Sequence, residues 1–250
     1  MHENPTQHFF DEGLIAGIVR PIKSGKEASV HLCRANETTT GERLAALKVF
    51  HSPDRRDFRD EALYRDGEWI KERRIRVAVQ KRTRFGREVA AEIWVDREWE
   101  SLRTLSNAGA DVPTPIARTG RAILMTYVGD EETAAPQLRS LRPGRKEAQQ
   151  LFEQVMRNVR LLLCHNVIHG DLSAFNVLVW RGRVTIIDLP QAVDPRKNRH
   201  AEVLLERDVR RICEHFERLG VRTTPERIAT DLWTAWQFAD LVPEELRNPD

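Results

Sequence analysis

The sequence predicts an α+β protein of two lobes, with a β-rich first half and a mainly helical second half. Two observations predict it. Between Leu14 and Phe50, three short β-type runs, IAGIVRPI, ASVHLCRA and RLAALKVF, are separated by the turn-like stretches KSGKE and NETTTGE. From about residue 145 onward, apolar residues instead recur every three or four positions, the period of an amphipathic helix. A chain of 250 residues can form two small lobes and bury roughly three quarters of its unfolded surface, so it needs no disulfide to fold.

Taken in order, the three runs form an antiparallel meander. The polar stretch from His51 to about Arg87 is too long for an ordinary connection. AEIWVDREWESLRTLSNAG then sets Ile93, Trp94, Leu102 and Leu105 at helical spacing and stops at Gly109. PIARTG and RAILMTYVG supply two more strands, completing a five-stranded sheet that carries one main helix. In residues 145–165, Leu151, Val155, Val159 and Leu162 form one stripe, and residues 201–219 and 225–241 read as further amphipathic helices. The whole chain is expected to be a single domain, with a first lobe over about 14–126, a hinge at about 126–129 and a second lobe over about 130–250. An active-site cleft is expected between the lobes.

Composition excludes several classes. Forty basic residues nearly balance 38 acidic ones, so any nucleic-acid surface must be local. No run approaches the roughly 20 apolar residues of a membrane span, and the N-terminus lacks the basic and apolar regions of a secretory signal. A cytoplasmic protein without a membrane partner is expected. Cys33, Cys164 and Cys213 are odd in number and form no C-x-x-C pair, which suits buried thiols in a reducing compartment.

The strongest chemical signal is VIHGDLSAFNVLVWRGRVTIIDL, residues 167–189, where Asp171 precedes Asn176 by five positions and Asp188 by 17. VLV and VTII, joined by WRGR, should pair as an antiparallel hairpin. That pairing brings Asn176 beside Asp188, because opposed residues lie about 5 Å apart. Two converging oxygen ligands suit Mg²⁺, which takes one or two protein oxygens together with phosphate oxygens. Asp171, in the preceding loop, can accept the proton of an attacking hydroxyl. This is the order and spacing of the phosphoryl-transfer template, D-x-x-x-x-N followed by a magnesium-binding Asp. The plainer alternative makes the acids turn formers and Asn176 a cap. His169 is expected to pack and hydrogen-bond the loop rather than to carry protons.

Lys48 lies in LAALKVF, where a lysine in an apolar strand must send its ammonium to a charged partner or to phosphate. Glu98, 50 residues on, is the expected partner, with Glu100 a nearby competitor. The stretch SGKEASV, residues 24–30, offers phosphate a glycine backbone at Gly25, N–H groups and the Lys26 ammonium, with Ser24 at its start. It is not a Walker motif, since Glu27 follows Lys26 and Arg20 replaces the first Walker glycine. Alone, it fits an ordinary hairpin turn equally well.

Together, SGKEASV, ALKVF, DFRDEALYRDGEW, WVDREWESLRTLSNAGADVPTPI, LMTYVG, HGDLSAFNVLV, IIDLPQAVD and LLERDVRRI resemble the RIO family of atypical protein kinases, particularly its type-one subfamily. The resemblance runs from about Gly17 to Phe216. It implies a bilobal protein-kinase-like fold and an ATP-dependent serine/threonine kinase capable of autophosphorylation or ATP hydrolysis. It implies Mg²⁺, with Mn²⁺ able to stand in. By this resemblance Asp171 is the catalytic aspartate, Asn176 and Asp188 are metal ligands and Lys48 reaches the ATP phosphates. Main-chain groups at Thr126 and Val128 would hold adenine, and Met125 would be the gatekeeper. The loop reads HGD without an arginine before the aspartate and no A-P-E follows Asp188, so activation-loop control is not expected. Pro190 departs from the family's small polar residue. The short stretch before the first strand leaves no room for the winged helix of the second RIO subfamily, and a minimal catalytic domain is expected.

Two other readings compete. HGDLSAFNVL also resembles the loop of aminoglycoside and choline kinases, which phosphorylate small molecules on the same fold. KERRIRVAVQKRTRFGRE, residues 71–88, carries eight basic residues against two acidic ones and suggests an ATP-switched RNA or ribosome assembly factor. The plainer alternative for this segment is a solvated loop; by its length and by the resemblance, which makes it the family's flexible insert, the segment is expected to be mobile around 71–88 in the free protein, with Arg73, Arg74, Lys81, Arg82 and Arg84 facing a partner. The protein substrate itself is not legible.

Overall fold

The computed structural model describes residues 6–51 and 83–238. Among these, the chain divides into two compact units, one of residues 6–51, 83–103 and 113–134, the other of residues 104–112 and 135–238.

In the first unit the expected strands form: β1 (Ile15–Ser24), β2 (Ala28–Ala35), β3 (Leu44–Phe50), β4 (Pro115–Thr119) and β5 (Ala122–Thr126). They make one antiparallel sheet in the order β1-β2-β3-β5-β4, which leaves β3 central. Strand alternation gives β3 two different faces. Ala45 and Leu47 join Phe9, Ile15, Cys33, Ala122 and Leu124 in a fully closed apolar cluster. Ala46, Lys48 and Phe50 take the other face. Phe9 belongs to α1 (Gln7–Asp11), one helical turn too short to show any periodicity in the sequence. NETTTGE contains a second single turn, α2 (Glu37–Thr40), capped by the Asn36 side chain and ended by Gly41 at φ 74°.

The main helix, α3 (Arg84–Asn107), begins ahead of the apolar pattern that starts at Ala91. Arg84, Arg87, Glu88 and Ala90, strong helix formers, stand among the seven residues by which the helix precedes that pattern. Trp94 and Leu102 are buried as expected, and so are Val95 and Glu98. The helix stops where Gly109 adopts φ 75° and Ala110 N–H turns back to the Leu105 carbonyl.

The second unit is built on α4 (Arg145–Cys164), α5 (Ala201–Glu217), α6 (Pro225–Gln237) and the hairpin of β6 (Val177–Trp180) with β7 (Arg183–Ile186). Leu151, Val155, Val159 and Leu162 are buried on one face of α4, and Phe152 meets Phe216 of α5 edge-on at 5.4 Å between ring centroids. The hairpin turn places Arg181 and Gly182 both at positive φ, which matches the right-handed twist of the strands it joins. Buried Asn158 of α4 accepts from Asp111 N–H at 2.7 Å and donates to the Asp111 carboxylate at 2.8 Å, securing the 104–112 segment. The three cysteines are free; Cys33 and Cys213 are buried and Cys164 is half-buried. Burial pushes the Cys33 thiol up to about 11, as expected of an inert packing residue.

Most of the basic stretch 71–88 lies outside the described residues, and its last five residues form the start of α3. No helix among the described residues is long and apolar enough to cross a membrane.

Candidate active site

In the first unit, β3 and α3 bring together two charges that neither element would bury alone. Lys48 is 7% exposed and Glu98 1%. The Lys48 ammonium lies 2.7 Å from both Glu98 carboxylate oxygens and 4.9 Å from the centre of the Phe50 ring. Glu100, the competing partner, instead pairs on the surface with Arg103. A buried charge is tolerated only with such compensation, so the pair fixes the ammonium in place.

The SGKEASV stretch forms the β1–β2 turn. Gly25 N–H is spent on the Ala28 carbonyl at 2.9 Å, His51 Nε2 lies 3.1 Å from the Gly25 carbonyl, and Ser24 Oγ lies 3.1 Å from Ser29 Oγ. Lys26 is exposed, and Gly25 does not adopt a positive φ. At the end of β5, Met125 is buried, and Thr126 exchanges two bonds of 2.9 Å with Thr114 through its N–H and its hydroxyl. Val128 is half-buried. Gly129 follows at φ 142°, and a Cβ there would lie 2.5 Å from the Thr133 carbonyl oxygen and 2.6 Å from the Tyr127 hydroxyl. Only glycine fits.

In the second unit, Asp171, Asn176 and Asp188 line one cavity of about 760 Å³. The hairpin is the reason. Val177 pairs with Ile186, and Ile187 N–H donates to the Asn176 carbonyl, so Asn176 faces Ile187 and Asp188 is one residue further on. The sequence placed Asn176 directly beside Asp188; the register differs by that single residue. Asp188 sits at φ 72°, a left-handed conformation that costs a non-glycine residue about 1–3 kcal/mol and is typically retained at functional positions. Asn176 Nδ2 donates to the Asp171 carbonyl at 3.0 Å, which leaves its Oδ1 as the side-chain oxygen to offer a cation.

His169 is buried and structural, as expected. Its Nδ1 accepts from Asp171 N–H at 3.2 Å, so the ring proton is on Nε2, which lies 3.1 Å from the Ile187 carbonyl. Burial pushes its pKa below the ordinary value, keeping the ring neutral.

Sequence reasoning missed the loop's three supports from α5. Asp208, 2% exposed, accepts from Gly170 N–H at 2.8 Å and Leu172 N–H at 3.0 Å, bracketing Asp171. Burial pushes its carboxyl up to about 7, against the opposing pull of these N–H groups and the Arg207 guanidinium. Arg207 also donates to the Gly170 carbonyl. A signal for Asp208 existed, since a carboxylate on the stripe of Leu204, Leu205, Val209 and Ile212 must have a buried partner. Arg211 carried none, yet its guanidinium lies 2.7 Å from Asp171 Oδ1.

The sequence model of the RIO domain matches residues 30–228. The chain belongs to the RIO family. A RIO-type serine/threonine-protein kinase Rio1 from Thermoplasma acidophilum is 33% identical over 145 residues, 58% of this chain and 75% of that protein. The fission-yeast serine/threonine-protein kinase rio1 is 30% identical over 213 residues, which is 84% of this chain but only 40% of the yeast protein. Among solved structures, the Rio2 kinase-ADP/Mg²⁺-phosphoaspartate complex from Chaetomium thermophilum matches 97% of this chain and 71% of that one. The TM-score is 0.68 at 20% identity, so the α+β kinase-like fold expected from the sequence is the fold shared with this RIO kinase.

Proposed function

We propose that this RIO-family chain is an ATP- and Mg²⁺-dependent phosphotransferase, an atypical serine/threonine protein kinase capable of autophosphorylation or ATP hydrolysis. The carrying observation is the convergence of Asp171, Asn176 and Asp188 on one cavity, with the loop pinned from beneath by Asp208. Among the described residues no three His, Cys, Asp or Glu side chains converge to hold a metal alone. Asn176 and Asp188 instead supply two oxygens. That donor set fits Mg²⁺ or Mn²⁺, which complete their shells with phosphate and water.

In the mechanism, Asp171 accepts the proton of a substrate hydroxyl as the hydroxyl oxygen bonds to the γ-phosphorus and the bond to the ADP oxygen breaks. Asn176 and Asp188 would hold the metal, whose charge offsets that of the phosphate oxygens. Lys48, held by Glu98, would bind phosphate, aided by Ser24, Gly25 and Lys26, and main-chain groups at Thr126 and Val128, next to Met125, would hold adenine. We assign residues 1–250 to one RIO-type kinase domain with a hinge at about 126–129, working in the cytoplasm. The names of the curated relatives favour a protein hydroxyl over an aminoglycoside or choline. The basic composition of residues 71–88 supports an RNA or ribosomal contact beside the kinase activity.

The test is binding linkage. Saturating Mg·ATP at about 100-fold its dissociation constant stabilises a folded protein by about 2.7 kcal/mol, a rise of about 5–10 °C in Tm for a chain of this size. Asp188→Asn should lose the metal-dependent part. An unchanged wild-type Tm with Mg·ATP would refute the nucleotide assignment.

A further inference from the structure

The cavity lined by Asp171 also has a basic end, where Arg142 and Arg218 lie close enough to His215 to act on its charge and Arg142 bonds to the Arg139 carbonyl, and Phe175 lines the same cavity. This end is built. Arg139 N–H donates to the Ala174 carbonyl at 3.0 Å, and the Gln137 side chain both donates to the Phe175 carbonyl at 2.6 Å and accepts from Arg139 Nε at 3.1 Å. The Arg139 guanidinium lies 4.4 Å from the centre of the Phe175 ring, and that ring is 53% exposed. Arg142 Nη1 donates to the carbonyls of Arg139 and Leu141 at 3.1 and 2.7 Å. The Arg139 head is therefore held by the Gln137 side chain and the Arg142 head by main-chain carbonyls, and both keep most of their five donors for a ligand. His215 lines the same end, is 8% exposed, and its buried Nε2 has no hydrogen-bond partner among the described residues. Burial and the neighbouring Arg218 and Arg142 all push its pKa down.

Arg139, Arg142 and Arg218 are exposed, so what they give the cavity beside Asp171 is a local excess of positive charge that favours an anionic ligand rather than a buried charge needing compensation. The carboxylates on the same wall do not fully offset it: Asp171 is taken by Arg211, and Asp188 is assigned to the metal, which leaves exposed Glu214. The geometry points to this end of the cavity as a substrate subsite for an acidic peptide segment. It would accept a carboxylate or phosphorylated side chain next to the serine or threonine presented to Asp171. A cavity of about 760 Å³ falls within the 300–1,000 Å³ of ligand sites and takes a short extended segment. Exposed Phe175 supplies the apolar contact that fixes its path. The proposal rests on the kinase reading, because that reading places the acceptor hydroxyl at Asp171.

Direct binding separates the two. Fluorescence anisotropy on the full chain should show a labelled serine peptide flanked by aspartates binding at least tenfold more tightly than its alanine-flanked counterpart. The preference should vanish in Arg139→Gln/Arg142→Gln/Arg218→Gln and return in the corresponding triple lysine variant. Thermal stabilisation by Mg·ATP, which reports the kinase reading alone, should match wild type in both. Equal affinity for the two peptides, or a preference that survives the glutamine variant, would overturn the subsite. Displacement of the acidic peptide by single-stranded RNA that binds more tightly, with the same arginine dependence, would overturn it in favour of a nucleic-acid site.

Discussion

Replacing Glu98 with alanine leaves the Lys48 ammonium in a site built for a pair. At 2.7 Å, with an effective dielectric of about 20, the two charges attract by about 6 kcal/mol, most of which offsets the cost of removing them from water. Deleting one partner keeps the remaining group's desolvation and loses the attraction, so Glu98→Ala should cost about 3–5 kcal/mol. Replacing both, as Lys48→Met/Glu98→Leu, should cost clearly less than the sum of the single changes, because no charge is left buried. Urea unfolding of the four proteins gives the coupling energy directly. The Glu98→Ala chain should also lose affinity for Mg·ATP, because the Lys48 head is no longer held. If Glu98→Ala costs less than about 1 kcal/mol and the cycle shows no coupling, the pair behaves like a solvated surface bridge and the burial argument fails.

Asp208 gives a pH prediction. With a folded value of about 7 against about 4 unfolded, the folded chain keeps a proton between these pH values that the unfolded chain releases. Its contribution is therefore complete below pH 4 and is lost as pH rises through 7, by up to about 4 kcal/mol; Asp208→Asn should flatten this part of the stability profile, and superimposable profiles would refute it. Gly129→Ala should destabilise the first unit by more than the few tenths typical of surface changes, since its Cβ meets the Thr133 carbonyl at 2.5 Å. An unaltered Tm would show that the 127–134 turn simply relaxes. Asp171→Asn should lower phosphoryl transfer by about 10²–10⁴-fold while leaving thermal stabilisation by Mg·ATP in place, because a base contributes in the transition state. A parallel loss of both would make Asp171 a binding residue.

Strands and long helices were legible because their periods of two and 3.6 are written along contiguous sequence, as in LAALKVF and in the α4 stripe. Lys48 with Glu98 and Asn176 near Asp188 were legible for a related reason: each pair joins an element of clear period to another at a fixed spacing. Single turns were not, since α1 and α2 are too short to show a period. The supports of the catalytic loop were hidden differently. Asp208 and Arg211 come from a helix more than 30 residues downstream, and their partners are main-chain N–H groups and a carboxylate that sequence alone does not orient. The basic end of the cavity was hidden for the same reason, because Arg139 lies on a short turn and Arg142 just after it, while His215 lies on α5 and Arg218 just past it.

The central claim is phosphoryl transfer dependent on Asp171 and Mg²⁺, and γ-labelled ATP tests it most directly. Purified chain is incubated with the label, with and without Mg²⁺, alongside Asp171→Asn, and the products are separated into protein, added small-molecule acceptor and free phosphate. The account predicts label on protein, with some released as phosphate, in the wild type with Mg²⁺ only, and a loss of about 10²-fold or more in Asp171→Asn. Label that stays on ATP in every sample, or leaves it equally fast in the Asp171→Asn chain, would contradict it.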